Sequence, residues 1–189
     1  MAAAGLGNVR ILQGDIFSLP FRKEAFDHLF VCFVLEHLPR PIEALSILKE
    51  FIRPGGTITA IEGDHGSAYF CPDSPAAQRA IDCQVRLQER AGGNAMIGRE
   101  LYPLLVRAGF AEVSVSPRMV YADGSRPAMA DGFTRKTFTA MIEGVREAAL
   151  AAGLMGADEF DSGIRDLYRT AEGDGVFCYT FFKATGKNG

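Results

Sequence analysis

A chain of 189 residues, 48% of them hydrophobic, is long enough to bury one core, and its length alone suggests a single domain. A net charge of −3, with 20 Lys and Arg scattered rather than clustered, argues against nucleic acid or an anionic membrane surface as a partner. No apolar run approaches the roughly 20 residues that span a bilayer, and Met1-Ala2-Ala3-Ala4-Gly5 lacks the basic start and apolar middle of a signal peptide. The expected location is therefore the cytoplasm.

In chain order, Ala2-Ala3-Ala4 followed by Gly5-Leu6 reads as the last turn of a helix with its C-terminal glycine. Val9 to Gln13 is a short β-prone run that stops at Gly14-Asp15, and Leu29 to Phe33 is a continuous apolar run of the kind buried on both faces of a sheet. A helix is expected from about Pro41 to Ile52, with Ala44, Leu45, Leu48, Phe51 and Ile52 on one stripe. Pro54-Gly55-Gly56 stops it, and Thr57 to Ile61 reads as another buried strand. This alternation suits an α/β fold with a parallel sheet.

Ser74-Pro75 marks a helix start, a capping hydroxyl followed by proline at the first position, and that helix should run to about Ala91. A further helix carries Leu101, Leu104, Leu105 and Ala108 and ends at Gly109-Phe110. Val113 to Tyr121 is strand-like but contains Pro117, which confines it to a sheet edge or a break. Asp131 to Ala152 and a shorter segment from Phe160 to Ala171 show helical periodicity, and Val176 to Phe182 is a strongly β-prone last strand. The four cysteines, Cys32, Cys71, Cys83 and Cys178, form no CxxC pair, and His28, His37 and His65 stand at no ligand spacing from them. The expectation is buried free thiols and no metal.

One series stands out by its order and spacing over about 60 residues: Asn8 to Asp15, Leu19-Pro20-Phe21, Phe26-Asp27-His28-Leu29, Val34-Leu35-Glu36-His37-Leu38 and Ile52 to Ile58. It resembles class I S-adenosylmethionine-dependent methyltransferases of the ubiquinone/menaquinone-biosynthesis type. The resemblance implies a Rossmann-like, mostly parallel sheet whose last strand is antiparallel. It also implies S-adenosylmethionine as cofactor and methyl transfer to a small-molecule acceptor by in-line displacement. In that family a glycine-rich GxGxG loop follows the first strand and an acidic residue ends the second. Gly5-Leu6-Gly7 follows no strand, and Gly92-Gly93 follows a helix. The sequence is therefore read as an N-terminally shortened domain lacking the first two strands, with helical lid insertions at about residues 67–91 and 131–171. A non-catalytic remnant serving as an interaction or scaffold domain is the alternative. A dinucleotide oxidoreductase ranks below both, because no GxGxxG follows a strand.

Ligands of open α/β sheets sit outside the carboxyl ends of the strands. Under the resemblance, Gly14, Asp15 and Ile16 would meet the adenine: the Asp15 carboxylate accepting from its amino group, the Ile16 amide facing a ring nitrogen. The bland reading of Asp15 is a turn cap. Phe33, Val34 and His37 would pass beside the methionine part, and His37 is equally well a helix-start residue satisfied by backbone. Glu62, Asp64, His65 and Tyr69, beyond the third strand, are candidate substrate-pocket residues, against the plainer reading of an exposed polar loop. No residue is assigned as catalytic base, since displacement at a methyl carbon depends mainly on alignment. Without the first two strands Leu29–Phe33 would be an open edge, repaired either by Val9–Gln13 moving in beside it or, the favoured outcome, by a homodimer through that edge.

Overall fold

The computed structural model describes residues 7–189. Four strands form one sheet in the order β1-β2-β4-β3: β1 Phe26–Cys32, β2 Ile52–Cys71, β3 Ala111–Asp123 and β4 Val176–Lys187. β1 and β2 are parallel, as a helical crossover between them requires. β4 is antiparallel to both β2 and β3 and lies between them. Three strands thus share one direction, and the last strand opposes them, as expected.

The crossover is α1, Pro41–Phe51, which begins on its proline and buries Ala44, Leu45, Leu48 and Phe51. α2, Pro75–Arg90, starts where its signal stands: the Ser74 hydroxyl accepts from the Ala77 amide at 3.1 Å. A 3₁₀ turn, Ile97–Glu100, leads into α3, Leu101–Arg107. β3 is an edge strand and keeps Pro117 opposite Phe182. This is the position where a missing N–H is tolerated.

Three expectations need correction. Val9–Gln13 is not a strand: Val9, Ile11 and Leu12 are exposed, and no described strand pairs with them. β-propensity becomes a strand only where a partner supplies backbone groups. Residues 67–71 are not helical but extend β2, with Tyr69, Phe70 and Cys71 opposite Cys178, Phe177 and Val176. The Asp131–Ala152 helix is segmented. It consists of α4 Pro127–Met129, a π-helix Ala130–Thr139, α5 Ala140–Glu143 and, after a turn at Gly144-Val145, α6 Arg146–Ala151. In the π stretch the Thr137 hydroxyl bonds the Gly132 carbonyl five residues back, a competitor for the helical ladder. α7, Ala157–Arg169, follows. The expected helix tail at residues 2–4 lies outside the described residues.

Two cores result. One packs α1 and α3 on the sheet through Leu45, Leu48, Ile58, Leu101, Leu105 and Ala184. The other packs α2, the π-helix and α7 against the carboxyl half of β2 and the start of β4, through Ile81, Phe138, Phe160, Leu167 and Phe177. The second helical group therefore covers the carboxyl end of β2, where ligands of open α/β sheets bind.

Candidate functional site

The chain leaves β1 through Phe33, whose φ of +56° is uncommon for a residue with a side chain. Such backbone costs about 1 kcal/mol or more and persists only when its surroundings fix it. Here they do. The Phe33 amide donates to the Ile61 carbonyl at 3.0 Å, and the next two amides, of Val34 and Leu35, donate to Glu62 Oε1 at 3.1 and 2.9 Å. Glu62 is completely buried, and its Oε2 has no hydrogen-bond partner among the described residues. Burial pushes its carboxyl pKa up, against the opposing pull of the two amides. Glu62 thus braces the β1 exit.

β2 then loses register with β4. Asp64 stands opposite Thr180 and Tyr69 opposite Cys178, so five steps on one strand face two on the other. The surplus bulges out, and the Ser67 hydroxyl repairs the ladder by donating to the Asp64 carbonyl at 2.7 Å and accepting from the Thr180 amide at 2.9 Å. Inside the bulge, Asp64 is buried and takes two bonds of 2.8 Å from the Arg99 guanidinium and one of 3.0 Å from the Gly66 amide. His65 turns inward, with Nδ1 3.0 Å from the Tyr179 hydroxyl, while Nε2 is buried without a partner among the described residues. Which of Nδ1 and the hydroxyl donates depends on the tautomer. Burial lowers the His65 pKa, so the ring is held neutral, and raises that of Tyr179.

His65 and Gly63 form one wall of a cavity of about 230 Å³ at the carboxyl end of β2. β4 contributes Tyr179 and Phe181, two apart and so on one face of the strand. The π-helix contributes Phe133, Thr137 and Phe138, and α5 contributes Met141. Phe33 and Glu36 complete the lining from the β1 exit. The rings touch: Tyr179–Phe181 centroids lie 4.8 Å apart, Phe138–Tyr179 5.3 Å and Phe33–Phe181 5.3 Å. Of the four proposed pocket residues, His65 alone lines this cavity. Tyr69 is 71% exposed beyond the bulge, and Asp64 and Glu62 are spent on Arg99 and the β1 exit. The aromatic wall was missed, although the alternation of Phe177, Tyr179 and Phe181 is visible in the sequence.

The remaining candidates flank the β1 exit. Asp15 Oδ1 accepts from the Phe17 amide at 2.9 Å, the turn-capping arrangement, while the Ile16 amide bonds no described residue. This turn sits at the start of α1, for the Arg40 guanidinium lies 4.8 Å over the Phe17 ring. Gly14 has room for a side chain, with Leu19 Cδ2 at 3.4 Å from a Cβ, so backbone geometry does not require glycine there. Val34 is partly exposed, and His37 points outward, 3.7 Å from Glu36.

Residues 1–60 match the family model for a methyltransferase domain. The chain is 30% identical over 131 residues to an uncharacterized methyltransferase of Schizosaccharomyces pombe, covering 69% of this chain and 45% of that protein. It is 32% identical over 59 residues to a demethylmenaquinone methyltransferase of Staphylococcus aureus, 31% of this chain and 24% of that one. Among solved structures it is similar to that of a putative methyltransferase from Bacillus halodurans, with TM-score 0.55 and 14% identity over 99% of this chain and 74% of that chain. The chain spans less than half the length of the curated relatives it matches.

Proposed function

We propose that this chain belongs to the class I S-adenosylmethionine-dependent methyltransferases and takes part in methyl transfer to a small-molecule acceptor bound in the aromatic cavity beside the β1 exit. The observation that carries the reading is the convergence of three features at the carboxyl end of the parallel strands: the strained, braced exit at Phe33, the bulge bearing His65, and an apolar cavity between them.

The residues around the exit suit the family's cofactor. The Asp15–Phe17 turn offers a carboxylate oxygen and an Ile16 amide that bonds no described residue, a donor–acceptor pair matching an adenine edge. Gly14 would let the backbone run close to that base. Phe33 lines the cavity, and Val34 and His37 follow it in the β1 exit, the stretch that would pass the amino-acid portion. When bound, S-adenosylmethionine supplies an electrophilic methyl group. The chain's own part is to align the acceptor with it, exclude water with Phe133, Phe138 and Phe181, and hold the acceptor against the neutral His65. Alignment of this kind is worth roughly 7–11 kcal/mol. The open edge of β1, with Phe30 exposed, is the surface through which two copies would associate.

Titration calorimetry with S-adenosylhomocysteine tests the assignment. Asp15→Ala is expected to weaken binding by about 1–3 kcal/mol, the usual loss when a charged hydrogen-bond acceptor is removed. Unchanged affinity removes Asp15 from the site, and no binding to the unmodified protein overturns the methyl-transfer reading.

A further inference from the structure

Building on that reading, we infer that the cavity accepts a cationic amine: an aromatic cage from β4 and the π-helix surrounds the ammonium, and the Glu36 carboxylate supplies the countercharge. Four rings, Phe133, Phe138, Tyr179 and Phe181, line the space and contact one another at centroid separations of 4.8–5.8 Å. Aromatic rings attract a cation through their negative faces, most strongly where water is excluded. Glu36 lines the same cavity and is buried, yet no Lys or Arg pairs with it among the described residues. Its contacts are the Gln88 amide at 3.3 Å and the exposed His37 ring at 3.7 Å. A buried carboxylate without a cationic partner is costly, and a bound ammonium would supply one. Burial dominates at both His65 and Tyr179 on the opposite wall, and the Glu36 charge acts on both as well, favouring their protonated forms.

His65 lines the same cavity. With its ring hydrogen on Nδ1 and donated to Tyr179, its Nε2 keeps a lone pair that no described residue uses.

The test compares choline with its uncharged carbon analogue, 3,3-dimethylbutan-1-ol, by titration calorimetry near neutral pH. Choline is expected to bind about tenfold tighter or better, and Glu36→Gln, which keeps the shape and the Gln88 contact, should bring the two within about twofold. Phe133→Leu, with no polar contact at stake, should weaken choline several-fold and leave the alcohol nearly unchanged. Equal or tighter binding of the alcohol, binding of neither, or an undiminished preference in both variants overturns the inference. Binding of S-adenosylhomocysteine, measured in the same samples, separates the two readings. S-adenosylhomocysteine binding without a cation preference defeats this inference alone, and a cation preference without it leaves the cage and defeats methyl transfer.

Discussion

Glu62 shows how a single carboxyl can set the geometry of a strand end. Its Oε1 gathers the Val34 and Leu35 amides, while Oε2, fully buried, meets no described partner. Desolvation raises its pKa above the ordinary 4.5. Between that value and the raised one, the folded chain holds a proton that the unfolded chain has released, so stability falls as pH rises through the window. Glu62→Gln keeps an oxygen for both amides and has no charge to desolvate. Its melting temperature should match the parent's at about pH 4 and equal or exceed it at about pH 8, the gap widening as pH rises. A variant that melts lower at every pH would show the charge itself to be needed. The residue's role was not legible in the sequence. Glu62 stands in a polar run with Asp64 and His65, and only the fold sends the first into the β1 exit, the second to Arg99 and the third into the cavity.

At the scale of elements, the bulge in β2 depends on the close seating of the Ile97–Glu100 turn. A Cβ on Gly98 would lie 2.7 Å from the Gly63 carbonyl oxygen and 2.9 Å from that of Glu62, so neither element can yield without moving backbone. Gly98→Ala should cost about 1–3 kcal/mol, as overpacking usually does. It should also weaken whatever ligand the cavity holds, since Gly63 is part of its wall. Gly132→Ala, where nothing lies within 4 Å of the added Cβ, is the control and should melt close to the parent in the same calorimetric scan. Equal melting of both variants would show the turn to be freely movable. The capped start of α2 and the stripe of α1 were readable, because caps and periodicity are local. The bulge was not, because a register shift is a property of two strands at once.

For the whole molecule, the exposed margin of the sheet is the feature to test. β1 pairs only with β2 among the described strands, and Phe30 on it is 61% exposed. Apolar side chains along an unpaired edge favour association. Sedimentation velocity should therefore show a mass that rises with concentration, and Phe30→Lys should hold the protein at the smaller species. A parent that stays monomeric at every concentration would leave that edge without the proposed role. No described helix is long and apolar enough to cross a membrane.

The sequence alone determined most of the strand–helix order from β1 onward and narrowed β3 to a sheet edge or a break, on signals within a few residues: apolar runs, a proline that cannot donate, a hydroxyl before a helix. The antiparallel last strand was what the family resemblance implied. Tertiary structure decided the rest. Val9–Gln13 has a strand's composition but gains no ladder partner, and residues 67–71 have no helical requirement strong enough to resist pairing with β4. The cavity was decided at the same level, since Phe33, His65, Phe138 and Tyr179 are far apart in the chain and meet only once β4 inserts between β2 and β3. Local energetics choose the elements, while a site assembled from several of them exists only after their apolar faces have been buried against one another.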